Sequence, residues 1–270
     1  MPTRRRVAVA ASSPLGADVL ERLARSHDVV QLLTRPDRPR GRGRRLAPTP
    51  AKEAAARLGI PVAQPARLDG TVELGADTLV VAAFGLLVPP ELLERALWLN
   101  VHPSLLPRWR GAAPVERALM AGDRETGVTI HRTVKALDAG PIAAQGAFSI
   151  RPDEDAGAVY ARAGALAGEL LDEVLARAEP EFVPQSEDGV TYAEKIGPAD
   201  RELDLTLPAG EVVNRVRALS PHIGARAVVD GRPLLVWQAR VGEDGSLELL
   251  EVQPDGKRRM TWDEYLRGRR

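Results

Sequence analysis

The chain has 270 residues, 44% hydrophobic and 27% charged, with a formal net charge of zero. That is the profile of a globular protein long enough to bury one large core or two ordinary ones. It contains no cysteine, which excludes disulfides, thiol catalysis and Cys-ligated zinc. No run of about 18 apolar residues occurs, and the apolar stretch 7–11 is too short for a signal-peptide core, so a cytoplasmic protein with no membrane span is expected.

Residues 5–11 read as a buried strand. Residues 13–25 follow as a helix, with Ser13 as N-cap and Pro14 at its first position. A strand at 28–34 leads into "TRPDRPRGRGRRLAPTP" (34–50). Six arginines crowd between Arg35 and Arg45, interleaved with Pro and Gly, which predicts a long mobile loop that is neither helix nor strand. The first 50 residues hold eleven arginines against four acidic residues, so this loop suits a phosphate backbone, with a merely solvated loop as the other reading.

Helix 48–59, strands at 60–65 and 77–83, helix 89–97 and strand 98–102 continue the alternation. Strands alternating with helices predict an α/β fold: a Rossmann-like, mainly parallel sheet with flanking helices. Beyond lie a helix at 112–121, two β-rich runs at 126–134 and 141–150 that are expected to pair, and a long helix at 155–178. The texture then turns irregular and polar, and 181–204 reads as a linker. Helix 208–219 and strands at 225–230, 233–241 and 246–252 make a small β-rich second domain. The expected division is 1–180, 181–204 and 205–270. Residues 201–270 carry twelve basic and eleven acidic side chains, so the tail is nearly neutral.

Two stretches carry candidate chemistry. "LNVHPSLLPRWRG" places Asn100 and His102 two residues apart at a strand end, hence on one face, before Pro103 and Pro107 stiffen the exit. In open α/β sheets such strand ends border the ligand crevice. "KALDAGPI" places Asp138 between two β runs, where a carboxylate can orient or deprotonate a histidine. A satisfied loop histidine and a turn aspartate are the plainer alternatives.

Together, "TRPDRPRGRGRRLAPTPAKEAA", "NVHPSLLPRWRGAAPVERALMAGDRETGVTI", "LDAGPI" and "TYAEKI" resemble the methionyl-tRNA formyltransferase family of folate-dependent formyltransferases, over nearly the whole chain. N-x-H-x-S-L-L-P and L-D-x-G are shared across folate-dependent formyltransferases, whereas P-D-R-P-x-G-R-G and R-x-R-G-A-A-P are narrower.

The resemblance implies a Rossmann-like catalytic domain and a C-terminal barrel resembling an OB fold, here shortened between "VWQARV" and "LELLEV". It implies formyl transfer from 10-formyltetrahydrofolate to methionine on initiator tRNA, for translation initiation, by a monomer without a metal. Asn100, His102 and Asp138 match the catalytic trio. Phe84, Gly85, Leu86, Ser104, Leu105, Leu106 and Pro107 match the folate side, and Arg38, Arg40, Arg42, Arg44 and Arg45 the tRNA contact. One departure is "AVAASSPLG", where the family has F-x-G-T-P. A formyltransferase acting on glycinamide ribonucleotide or an amino-sugar nucleotide is one alternative; a non-catalytic RNA-binding relative is another.

Overall fold

The computed structural model describes residues 4–40 and 45–268. In chain order the elements are β1 (Arg6–Ala11), α1 (Pro14–Ser26), β2 (Asp28–Leu33), β3 (Arg38–Arg40), β4 (Arg45–Ala47), α2 (Pro50–Leu58), β5 (Val62–Ala63), β6 (Thr78–Ala82), α3 (Pro90–Arg95) and β7 (Leu97–His102). There follow β8 (Arg110–Gly111), α4 (Pro114–Met120), β9 (Glu125–Arg132), β10 (Ile142–Ser149), α5 (Ala156–Ala176), β11 (Tyr192–Ala193) and α6 (Ala209–Leu219). The tail adds β12 (Ala225–Val229), β13 (Arg232–Val241), β14 (Leu247–Pro254), β15 (Met260–Thr261) and α7 (Trp262–Arg267).

Two compact units result. One is Met1–Arg110, Gly127–Ala147 and Ala161–Thr191; the other is Gly111–Thr126, Phe148–Tyr160 and Tyr192–Arg270. Among the described residues, no helix is long and apolar enough to cross a membrane.

The central sheet has the order β10-β9-β7-β6-β1-β2-β5. Strands β5, β2, β1, β6 and β7 run parallel, and β9 pairs with β7 antiparallel. From β1 the chain fills one side through β2 and β5, then crosses to β6 and β7 on the other. That reversal is a topological switch point, and Ala11, Ala82 and His102 end their strands along its carboxyl edge. Val7, Ala8, Val9, Ala10 and Ala11 are wholly buried, as a parallel strand covered on both faces must be.

Local chemistry fixes the helix ends. Ser13 Oγ accepts from Gly16 N, and Pro14 opens α1. The altered first turn therefore still caps its helix. Beside it Ser12, also buried, bonds Thr34 Oγ1, which bonds Thr49 Oγ1 in turn, the N-cap of α2. Gly59 ends α2 in the left-handed conformation, at φ +69°.

The stretch 34–50 contains strand pairing that its composition concealed. Arg38 pairs with Ala47, Pro39 with Leu46 and Arg40 with Arg45, in a two-stranded hairpin. A ribbon this short exposes both faces, so its charges stay solvated, and Pro39 needs no donor toward the free edge. Asp37 anchors the base, accepting from Lys52 Nζ at 2.7 Å and Gln64 Nε2 at 2.7 Å. The Lys52 bond first, then Gln64, holds its carboxyl below the usual range. Arg42 and Arg44 lie outside the described residues.

In the second unit a four-stranded antiparallel sheet, β12-β13-β14-β15, supplies the small β-rich domain. Its apolar face is covered by α6: Val212, Val216 and Leu219 pack with Leu234, Val236 and Val252. Tyr265 of α7 joins them. The tail thus contains a strand and a helix beyond the expected three strands. A two-residue strand is too brief to show a period, and α7 is set by its capping box, Thr261 with Glu264.

Gly16 brings α1 down onto the switch point. A Cβ there would lie 2.6 Å from the Ala82 carbonyl oxygen and 2.7 Å from Ala11 Cβ. Alanine gains up to about 1 kcal/mol in a helix, but overpacking a tight site costs about 1–3 kcal/mol. Gly16→Ala is therefore expected to lower stability by about 1–2 kcal/mol in urea unfolding. A variant as stable as the parent would show that α1 does not press on the strands.

Candidate active site

β7 delivers both strand-end residues to one place. Its register sets Asn100 opposite His131 and His102 opposite Thr129 of β9. Side chains directly opposite across an antiparallel pair share a face, and Asn100 Nδ2 lies 2.9 Å from His131 Nε2. Asp138, on the loop after β9, completes the group. Its Oδ1 lies 3.3 Å from Asn100 Nδ2, and its Oδ2 lies 3.6 Å from His102 Nδ1. The structure thus brings Asn100, His102 and Asp138 together and adds His131.

Donor and acceptor roles follow from the carbonyls. A carbonyl only accepts, so His102 Nε2–H donates to Trp109 O at 2.8 Å, and His131 Nδ1–H donates to Arg132 O at 3.1 Å. His131 Nε2 is then the acceptor for the Asn100 amide. His131 is 1% exposed. Burial first, and the nearby His102 charge second among the opposing influences, push its pKa down to about 4, although the Asp138 carboxylate pulls the other way. It is a neutral acceptor at pH 7.

The L-D-x-G pattern has a steric reason. Asp138 sits at φ +46°, in the left-handed region that Asp tolerates better than most residues. At Gly140 any Cβ would be driven into the Arg132 carbonyl oxygen. The glycine lets the loop return against β9 and carry Asp138 to His102.

The residues matched to the folate side divide. Phe84 is buried in the core with Ala8, Leu33 and Leu79, so only its backbone is left for a ligand. Gly85 is exposed at φ +78°, and Leu86 is half-buried. Ser104 is wholly buried, its hydroxyl donating to Arg108 O. Leu106 N donates to Thr129 Oγ1, while Leu105 and Pro107 remain half-buried. Arg38 and Arg45 are exposed on the hairpin. A cavity of about 600 Å³ lined by Arg5, Arg6, Asp77 and Arg95 opens where the parallel strands begin, at the edge opposite His102.

His131 is a residue beside the trio that sequence reading missed. Its only signal is a histidine within the β-rich run 126–134. Locating it beside Asn100 requires the strand register, which nothing in the sequence states.

The sequence profile described as formyl transferase matches residues 5–175, and that described as formyl transferase, C-terminal domain, matches 195–244. The methionyl-tRNA formyltransferase of Methylococcus capsulatus is 40% identical over 277 residues, covering 90% of each chain. That of Chromobacterium violaceum is 42% identical over 243 residues, covering 86% of this chain and 78% of the relative. Among solved structures, HypX from Aquifex aeolicus in complex with tetrahydrofolic acid aligns with a TM-score of 0.65 at 20% identity, over 98% of this chain and 47% of that one. At that identity the likeness concerns the fold. The profile match over residues 5–175 spans more than half of the sequence, and this chain belongs to the formyltransferase family.

Proposed function

We propose that this chain transfers a formyl group from 10-formyltetrahydrofolate to the amine of methionine on initiator tRNA, and that Asn100, His102 and Asp138 carry the transfer. The observation behind this reading is the convergence of an amide, an imidazole and a carboxylate at the carboxyl edge of β7. The names and extent of the relatives support the substrate, and a folate-derived formyl donor accords with the family.

10-Formyltetrahydrofolate supplies a formyl carbon on nitrogen; the neutral amine bonds to that carbon and the original C–N bond breaks. Asn100 meets the oxygen that gains charge. One of its N–H bonds is fixed on His131 Nε2 at 2.9 Å, which aims the other toward Asp138 at the longer 3.3 Å, where the formyl oxygen shares it. A single such donor is worth about 3–4 kcal/mol of barrier.

The Asp138 carboxylate takes the proton that the amine releases. His102 Nδ1, facing that carboxylate, shares it until the departing nitrogen takes it back. The charge that develops is met by N–H donors, and the reading requires no metal. Gly85 and Leu86 with Ser104 to Pro107 hold the folate ring. Arg38, Arg40, Arg42, Arg44 and Arg45 meet tRNA phosphates. The protein works as a cytoplasmic monomer, without membrane contact. A non-catalytic RNA-binding role would leave the convergence of the trio without purpose.

His102→Ala and Asp138→Ala are each expected to lower the formylation rate at least ~100-fold with folding retained. The assay is formylation of charged initiator tRNA, with circular dichroism as the folding control. A near-normal kcat in either variant sinks the assignment.

Replacing Arg38 and Arg45 by Ala is expected to weaken tRNA binding and spare folate binding. Each lost phosphate contact should flatten the slope of log K against log[salt] by roughly 0.7–0.9. An unchanged slope would show that the hairpin is only solvated.

His131 also leaves a mark on stability. Its pKa falls from about 6.5 in the unfolded chain to about 4 in the folded one. Between those values the unfolded chain binds a proton that the folded chain refuses, so stability drops as pH falls from 6.5 toward 4. The full effect is of order 3 kcal/mol. In His131→Gln, which still offers Asn100 an acceptor, the drop should be shallower in urea titrations across that window. Parallel curves for variant and parent would refute a buried neutral histidine.

A further inference from the structure

We infer that Gln185 and Thr191, in the stretch that reads as a linker, are positioning residues for His102 and Asp138. The inference rests on the proposed roles of those two residues.

Gln185 has every hydrogen-bonding position of its amide occupied. Nε2 donates to Asp138 O at 2.7 Å and to Gly140 O at 2.8 Å. Oε1 accepts from Arg110 Nε at 3.1 Å and Nη2 at 2.7 Å. The amide cannot be turned over, because carbonyls only accept and a guanidinium only donates. Asp138 is held at φ +46°, a left-handed conformation uncommon for a side-chain-bearing residue, which persists where neighbours enforce it. Gln185 bridges the carbonyls of Asp138 and Gly140, so it is a neighbour that enforces it.

Thr191 acts on the other half of the pair. Its Oγ1 accepts from Trp109 N, and its carbonyl accepts from Arg110 N, both at 2.9 Å. The carbonyl of the same Trp109 holds His102 Nε2–H. The strap is pinned upstream as well, where Val183 and Ile142 exchange backbone hydrogen bonds of 2.7 and 2.9 Å. One short segment thus fixes the carboxylate loop through Gln185 and the imidazole's carbonyl partner through Thr191. Arg110, bonded to Gln185 by its side chain and to Thr191 by its backbone, ties the two together. A hydrogen bond that sets the Asp138–His102 gap acts on the chemical step and leaves the substrate contacts alone.

The test is a double-mutant cycle, read as kcat and KM in tRNA formylation. Gln185→Ala is expected to lower kcat about 10-fold, since small misplacements cost that much or more. KM for the formyl donor and for tRNA should stay within about 2-fold, as for a loss confined to the chemical step. In the Asp138→Ala background the same change should cost less than about 2-fold, because its partner in catalysis is gone. Gln185→Glu, nearly the same shape, keeps the acceptors for Arg110 and loses both donors. It should repeat the kcat loss and serves where the alanine variant does not fold. Thr191→Ser should retain activity and Thr191→Val should not.

An equal penalty with and without Asp138 would overturn the inference and make Gln185 a general structural residue. So would a normal kcat in both Gln185 variants. A normal rate in Asp138→Ala alone would instead remove the site assignment itself.

Discussion

The site depends on the antiparallel pairing of β9 with β7. A purely parallel sheet would place a crossover helix after β7 and a strand start beside it. Here the neighbour runs the other way, so the strand that passes His102 and Asn100 exits directly into the Asp138 loop. Register then decides the chemistry. A slip of one residue would turn His131 to the opposite face and place Arg132 or Ile130 against Asn100. Gly127 and Gly140 permit this packing: a Cβ at either would strike a backbone carbonyl, of Gly146 and Arg132 respectively.

The arginine excess near the N-terminus has two separate physical causes. Arg4 donates to the carbonyls of Ala24, Arg25 and His27, where α1 ends. Arg5 donates to Leu175 O and Arg177 O at the end of α5, and Arg6 to Gly75 O. Cations at helix C-termini satisfy orphan carbonyls and meet the negative end of the dipole. These three arginines stabilise the fold. The hairpin arginines do not share that role, since Arg38 and Arg45 stand exposed above an anchored Asp37. Composition counts both groups alike; only the structure separates them.

What the sequence reveals follows the same division. Helix and strand identity is legible wherever periodicity, Ser13, Pro14 or Gly59 marks it. Asn100 and His102 are legible because rare polar types stand at a strand end beside stiffening prolines, whereas Asp138, one aspartate among many on a loop, is legible only through the L-D-x-G resemblance. His131, Gln185 and Thr191 are not. A polar residue that satisfies a buried carbonyl has the same composition as one that faces water, so 181–204 reads as a linker although the Gln185 side chain bonds four atoms of three residues. The hairpin β3–β4 is hidden for a related reason. Backbone pairing does not depend on the arginines that decorate it, and Pro39 argues against a central strand but not against an isolated ribbon.

The electrostatics of the site run in one direction. His102 and His131 have ring centres 6.3 Å apart. Two unit charges at that distance repel by about 3 kcal/mol at an effective dielectric near 20. Burial adds a larger penalty to charging His131; Asp138 offsets part of it, more than His102 adds, and the sum still disfavours the charged form. His131 is therefore neutral, and with Nδ1–H committed to Arg132 O its Nε2 must be a lone pair. That lone pair holds one Asn100 N–H and orients the whole amide, which leaves the second N–H directed at Asp138. The carboxylate faces Asn100 Nδ2 at 3.3 Å, His102 Nδ1 at 3.6 Å and His131 Nε2 at 3.7 Å. The strap at Gln185 holds the Asp138 loop by its backbone, at the carbonyls of Asp138 and Gly140.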